Sequence, residues 1–333
     1  MAVRVGINGF GRIGRNYLRV ALDRGIDVVA LNDVADPRTL AHLLKYDSTY
    51  GPLERTVDHD DRSMTIGGKV IDVFSTRQPA ELPWAEMGVD IVIEATGRFR
   101  ARDDAAEHLK AGARKVLISA PGKDADFTAV IGVNEGDYNP DLHDVISNAS
   151  CTTNCVVPMV KVLHDAFGVA TGFMTTIHGY TSDQMLLDGL HKDLRRARSA
   201  GVNIVPTSTG AARSIGLIIP ELAGRIDGIA VRVPVEDGSL TDLVAVLNNP
   251  ATRDEVNDAY VAAAEAGPLC EVLDVTSDPI VSRDVVGNPA SCVFDSGLTE
   301  ANGTLVKVFG WYDNEWGYSH RLADLTDYVG VRL

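Results

Sequence analysis

The sequence predicts an α/β protein in two dissimilar parts. Residues 1–150 are expected to form a Rossmann-type, doubly wound and mostly parallel sheet. Residues 151–316 are expected to form an α+β part with a largely antiparallel sheet. Three observations predict this. Short apolar runs alternate with helical stretches as far as residue 150. A glycine-rich turn lies between the first strand and the first helix. Beyond Cys151 the alternation stops, and longer strands are separated by irregular loops. A last helix, 317–333, has Leu322, Leu325 and Val329 in register and is expected to join the first part.

Val3-Arg4-Val5-Gly6-Ile7 alternates as a strand does. Gly9-Phe10-Gly11-Arg12-Ile13-Gly14 follows at once, and then a helical pattern with Leu18, Ala21 and Leu22. Gly9 permits the tight turn, Gly11 lets a pyrophosphate approach the backbone, and Gly14 lets helix and strand pack closely. The next strand, Val28 to Asn32, ends at Asp33. An acid there accepts hydrogen bonds from ribose hydroxyls and repels a 2′-phosphate. Strand before, glycines, helix after and acid beyond together predict dinucleotide binding.

Gly67-Gly68 between Met64-Thr65-Ile66 and Val70-Ile71-Asp72-Val73 is a hairpin signal. Asp90 to Ala95 and Lys115 to Ser119 read as buried strands, with a helix from Ala105 to Ala113 between them. Thr96, Ser119 and Cys151 follow strands at their C-terminal ends, where open α/β sheets bind ligands.

Ser147-Asn148-Ala149-Ser150-Cys151-Thr152-Thr153-Asn154-Cys155 separates the two parts and holds two of the four cysteines. Small hydroxyl residues before the apolar run from Val156 predict a helix N-terminus, running to about Phe167 and stopped by Gly168. Its free N–H groups and dipole are expected to ionise the Cys151 thiol below its usual value. A buried structural thiol is the plainer alternative. Gly172 to His178 reads as a strand with a histidine at its end, and a distant Cys and His can pair as nucleophile and base. The stretch from Gly179 to Asn203 has no clear period and carries Lys192, Arg195, Arg196 and Arg198, each read singly as a solvated cation.

Pro206 to Ala212 is expected to open a helix ended by Pro220, with Thr209 at its anion-favouring start. Ile229 to Pro234 is a strand that holds Arg232 among apolar neighbours, a position suited to an anion ligand. Leu240 to Val246 and Thr304 to Phe309 are further strands, and Asp254 to Ala266 a helix.

Bulk composition excludes several classes. With 46 acidic against 31 basic residues, the net charge of −15 opposes nucleic acid and anionic membrane surfaces. No apolar run reaches a membrane span, and Arg4, Asn8 and Arg12 interrupt any signal-peptide core. Four cysteines at 151, 155, 270 and 292 make no disulfide framework, which suits a reducing, cytoplasmic setting. Cys-x-x-x-Cys without partners is a poor zinc pattern, so no metal is expected.

These motifs together resemble one family, the phosphorylating glyceraldehyde-3-phosphate dehydrogenases. The likeness rests on Ile7 to Arg15, Ser147 to Cys155, His178-Gly179-Tyr180-Thr181, His191 to Arg198, Pro206 to Ala212 and Trp311-Tyr312-Asp313-Asn314-Glu315-Trp316, and it spans nearly the whole chain. The resemblance implies a Cys151 nucleophile and a His178 base. It implies that Ser150, Thr152, Thr209 and Gly210 hold the incoming phosphate, and that Thr181 and Arg232 hold the substrate's own. It implies cofactor contacts from Arg12, Ile13, Asp33, Arg77, Ser119 and Asn314, beside Gly9, Gly11 and Thr96. The expected cofactor is NAD, the expected substrates are glyceraldehyde 3-phosphate and inorganic phosphate, and the expected assembly is a homotetramer with 179–203 at an interface.

The chain departs from the family pattern at three places. Gly189-Leu190 stands where NAD-selective members have Leu-Pro, which leaves NADP use open. Val235-Glu236-Asp237-Gly238-Ser239 stands where Thr-x-Asn-x-Ser is usual, and Gly179 stands where Ser or Ala is common. An erythrose-4-phosphate dehydrogenase, which releases its acid by hydrolysis, is the alternative.

Overall fold

A computed structural model describes residues 3–333. Contacts divide the chain into two compact units. Among the described residues the first comprises 3–129, 137–149 and 319–333, and the second 130–136 and 150–318.

The first unit runs β1 (Arg4–Asn8), α1 (Arg12–Arg24), β2 (Asp27–Asn32), α2 (Pro37–Lys45), β3 (Val57–His59), β4 (Ser63–Ile66), β5 (Lys69–Phe74), α3 (Trp84–Met87), β6 (Ile91–Glu94), α4 (Arg102–Ala105), α5 (Glu107–Lys110), β7 (Lys115–Ile118), β8 (Phe127–Thr128) and β9 (Val145–Ser147). The sheet order is β3-β4-β5-β2-β1-β6-β7-β9-β8. Strands β5, β2, β1, β6, β7, β9 and β8 pair in parallel, and only the β3–β4–β5 edge is antiparallel. The predicted parallel sheet is therefore found. Every residue of β6 and β7 is buried, as expected of strands covered on both faces. Gly67 and Gly68, at φ 57° and 89°, make the hairpin turn that the sequence signals.

The single helix expected from Ala105 to Ala113 is instead two short ones, α4 and α5, with Ala106 between them. The change follows the burial of His108. Its ring accepts from Trp84 Nε1 at 2.9 Å and lies 3.0 Å from Glu94 Oε2, so this turn is set by inward polar contacts rather than by helical period.

The second unit runs α6 (Cys151–Phe167), β10 (Val169–Gly179), β11 (Val205–Ser208), α7 (Ala211–Ile218), β12 (Ile226–Val233), β13 (Ser239–Leu247), α8 (Arg253–Glu265), β14 (Leu273–Thr276), β15 (Cys292–Asp295), β16 (Glu300–Asn302) and β17 (Leu305–Tyr312). The order is β11-β12-β10-β13-β17-β15-β14, with β16 on β17. Most pairs are antiparallel, as predicted, but β10 with β12 and β14 with β15 are parallel. Val205–Ser208 is an edge strand rather than the opening of α7, which starts later, at Ala211. Four-residue pairing with β12 outweighs the local capping signal there. The closing helix α9 (Trp316–Gly330) buries Leu322, Leu325 and Val329 and returns from Ser319 onward to the first unit.

Candidate active site

In the first unit, β1 delivers the chain into a turn at Gly9, whose φ of 94° suits glycine. A Cβ there would meet Thr96 N at 2.6 Å, so the turns after β1 and β6 touch through backbone. Gly11 caps α1 and faces open space. A cavity of about 230 Å³ opens here, lined by Gly9, Gly11, Asp33, Thr76, Arg77 and Thr96 among others. Asp33 accepts from Phe10 N at 2.7 Å and Ala35 N at 3.1 Å, which fixes its carboxylate at the end of β2. Beneath, Glu94 accepts from Thr96 N (2.9 Å) and Asn8 Nδ2 (2.6 Å), and Asn8 Oδ1 accepts from Asn32 Nδ2 (2.7 Å). One buried carboxylate thus ties three turns together.

Other predicted cofactor residues stand apart from this lining. Arg12 pairs with Asp47 at 2.5 Å and lies over the Tyr50 ring. Ile13 is half-buried in the first turn of α1. Ser119 follows β7 and donates its N–H to Glu94 O at 3.0 Å. Asn314 belongs to the second unit, where its Oδ1 accepts from Ser239 Oγ at 2.6 Å. The cradle fits a dinucleotide. Glycine turns leave room where side chains would obstruct, the α1 N-terminus faces an open position, and an acceptor-only carboxylate lies within the cavity.

The second unit brings Cys151 and His178 together. Cys151 opens α6 one residue after Ser150, whose Oγ accepts from Thr153 N at 3.0 Å and thereby caps the helix. His178 is near the end of β10, and its Nε2 lies 3.4 Å from Cys151 Sγ. The edge of its ring meets Tyr312, whose hydroxyl bridges Thr152 Oγ1 (2.9 Å) and Thr176 Oγ1 (2.8 Å). The parallel pairing of β10 and β12 sets Arg232 directly beside His178. Arg232 Nη1 donates to His178 Nδ1 at 2.5 Å and to Gly179 O at 3.1 Å.

The expected low thiol pKa is not found in this state. Burial pushes the Cys151 thiol up to about 11, although Arg232 and the helix-terminal N–H groups pull the other way. Burial, and then the Arg232 charge, press His178 from 6.5 to about 3. The resting pair is therefore neutral. His178 Nδ1 also lies 2.7 Å from Gly179 O. Nδ1 cannot accept from Arg232 and donate to that carbonyl at once. With Arg232 on Nδ1, the other nitrogen carries the proton; with Arg232 drawn away, Nδ1–H bonds Gly179 O and Nε2 turns a lone pair on Sγ.

The predicted anion ligands have mixed surroundings. Thr181 Oγ1 donates to Asp183, which also accepts from Arg196 Nη1 at 2.6 Å. Thr209 Oγ1 accepts from Ala211 N at 3.2 Å and Gly210 caps α7, so both stand at that helix start. The Thr152 hydroxyl is turned to Tyr312, which leaves its backbone N–H at the α6 terminus. By sequence alone Arg196 is one solvated cation among several. The fold instead seats it against Asp183 and Thr207 Oγ1 (2.8 Å), between the Thr181 and Thr209 segments. Its motif was the available signal.

A cradle that fits a dinucleotide in one unit and a thiol–imidazole–guanidinium cluster around the buried His178 in the other point to a dinucleotide-dependent oxidoreductase as the class. Comparison with known proteins narrows it. Residues 3–102 match the family model described as glyceraldehyde 3-phosphate dehydrogenase, NAD binding domain, and residues 150–314 match the C-terminal domain of the same family. A glyceraldehyde-3-phosphate dehydrogenase of Streptomyces coelicolor is 58% identical over 336 residues, covering both chains fully. One from Geobacillus stearothermophilus is 55% identical over 334 residues, with 100% of this chain and 99% of that one covered. The chain belongs to the glyceraldehyde-3-phosphate dehydrogenase family, and its cofactor is NAD.

Proposed function

We propose that this protein oxidises glyceraldehyde 3-phosphate with NAD and inorganic phosphate, releasing an acyl phosphate, as an enzyme of glycolysis and gluconeogenesis. The observation that carries this reading is Cys151 Sγ at 3.4 Å from His178 Nε2, with Arg232 on the far side of the same imidazole. Cys151 is the nucleophile and His178 its base. An anionic substrate phosphate competes for Arg232, with Thr181 beside it. Drawing the guanidinium off Nδ1 removes the charge that suppresses the imidazole and bares Nε2 toward sulfur. His178 then takes the thiol proton while Sγ adds to the aldehyde carbon, giving a hemithioacetal. When bound, the dinucleotide supplies the hydride acceptor that makes the thioester possible. Gly9, Gly11, Arg12, Ile13, Asp33, Arg77, Thr96 and Ser119 hold it, and Asn314 orients its nicotinamide amide.

The thioester retains acyl energy that hydrolysis would dissipate. Ser150, the Thr152 N–H, Thr209 and Gly210 hold inorganic phosphate for its attack, with Arg196 adding charge. NADH formation from glyceraldehyde 3-phosphate tests this reading. Turnover that persists undiminished without phosphate would refute it and favour a hydrolytic relative.

Homotetramer formation is supported by the apolar exposure of the 179–204 segment. Leu186, Leu187, Leu190, Leu194, Val202 and Ile204 face outward there, Leu190 at 99% exposure. A cytoplasmic location accords with four free cysteines. Among the described residues no helix is long and apolar enough to cross a membrane.

A further inference from the structure

One line of polar side chains links the C-terminal ends of four strands around the cofactor cavity. Asn8, at the end of β1, Asn32, at the end of β2, Thr76, beyond β5, and Thr96, beyond β6, all line that cavity. Thr76 N donates to Asn32 Oδ1 at 2.9 Å, and Asn32 Nδ2 donates to Asn8 Oδ1 at 2.7 Å. Asn8 Nδ2 in turn donates to Glu94 Oε2 at 2.6 Å. From Thr76 to Glu94 each link therefore donates toward the carboxylate, and such chains strengthen one another. The other oxygen of Glu94 accepts from Thr96 N at 2.9 Å and from Thr96 Oγ1. The turns have little slack, since a Cβ at Gly9 would lie 2.6 Å from Thr96 N.

The line continues behind Glu94. His108 Nε2 lies 3.0 Å from Glu94 Oε2, and Trp84 Nε1 donates to His108 Nδ1 at 2.9 Å from the other side of the ring. Trp84 and His108 are fully buried, and Glu94 is 2% exposed. An indole nitrogen only donates, so Nδ1 accepts and carries no proton. The imidazole is then neutral, with its proton on Nε2 and aimed at Glu94. Asn8 Nδ2 lies 3.3 Å from the same Nε2. It cannot donate there, because an imidazole accepting at both nitrogens would be an anion. Asn8 and His108 instead donate together to one oxygen.

Neither His108 nor Trp84 belongs to the cavity wall. We infer that His108, its proton fixed on Nε2 by Trp84, is a positioning residue that acts through Glu94 to hold the Thr96 turn and the Asn8–Asn32–Thr76 line, and so sets the affinity of the cavity for the dinucleotide. Removing its N–H leaves a buried carboxylate short of a donor, which is costly. The carboxylate relieves that cost by shifting, and it carries Asn8 and Thr96 with it.

The inference rests on the reading of this cavity as the cofactor site, and the test separates the two. Two variants differ in the donor alone. His108→Gln keeps a carbonyl acceptor for Trp84 Nε1 and an N–H donor for Glu94, whereas His108→Leu fills the space with neither. The dissociation constant of NAD and the urea midpoint of the apo protein are measured for both. His108→Leu weakens NAD binding about tenfold, and His108→Gln stays within about twofold of native. Equal weakening in the two variants overturns the role of the N–H. A lowered urea midpoint in both with native NAD affinity means that His108 only packs, and overturns the positioning role. Asp33→Ala and Gly9→Ala, measured alongside, test the cavity itself. If both bind NAD as the native protein does, the reading of the cavity fails and the inference with it. If both bind weakly while His108→Leu binds natively, the positioning role alone fails.

Discussion

The two units solve the problem of building a site in opposite ways. In the first, β6 is buried along its whole length and pairs in parallel on both sides, and the cavity is lined by glycine turns together with Asp33, Thr76 and Arg77 beyond the C-terminal ends of the strands. In the second, β13 alternates buried with partly exposed positions, and side chains from α6, β10 and β12 meet in one cluster. The lesson is that a binding cradle can be made from turn geometry, which is local, whereas a reactive pair needs distant elements brought into register. The first unit should therefore be sensitive to added atoms at glycine and the second to exchanged atoms at side chains.

The largest effect is expected at Cys151. Serine there should lower kcat about 10⁴-fold, since an alcohol is the poorer nucleophile and leaving group, while NAD affinity stays native. Loss of NAD binding in equal measure would erase the distinction between the units. The converse test is Gly9→Ala. A methyl group 2.6 Å from Thr96 N, at a left-handed φ, should cost about 1–3 kcal/mol and weaken NAD binding about tenfold or more. Thiol alkylation at Cys151 should proceed as in the native protein. Arg232→Leu should raise KM for the phosphorylated aldehyde about tenfold while leaving KM for unphosphorylated glyceraldehyde little changed. An equal loss for both would mean that Arg232 supports His178 only structurally.

The smallest effect concerns pH. His178 has a folded pKa below its unfolded one, so it contributes stability that is complete above 6.5 and lost as pH falls toward 3. Cys151 works in the other direction, losing its contribution as pH rises from 9 through about 11. Melting temperatures of the apo protein should show both limbs. His178→Asn should make the acid limb shallower and leave the alkaline limb unchanged.

Much of the first unit was legible because its signals are contiguous. Gly9, Gly11 and Asp33 lie within one strand–helix–strand run, and the Gly67-Gly68 hairpin announces itself within ten residues. The helix expected at 105–113 is broken because the pull on His108 comes from Glu94 and Trp84, which no local window relates to it. In the second unit the helix start at the hydroxyl residues flanking Cys151 and the stop at Gly168 are readable, but β11 lies where the local signal opens α7, because edge pairing is invisible in sequence. The low thiol pKa expected from a helix terminus failed for a similar reason: burial is a property of the packed chain and here it outweighs the dipole.

By itself, the sequence determined which residues could do chemistry and where the chain turns, because residue type and backbone preference are local properties. Tertiary structure alone decided that Arg232 rests on His178 and that Arg196 faces Asp183. Those outcomes depend on strand register and desolvation, which exist only once residues far apart in the chain have been packed side by side.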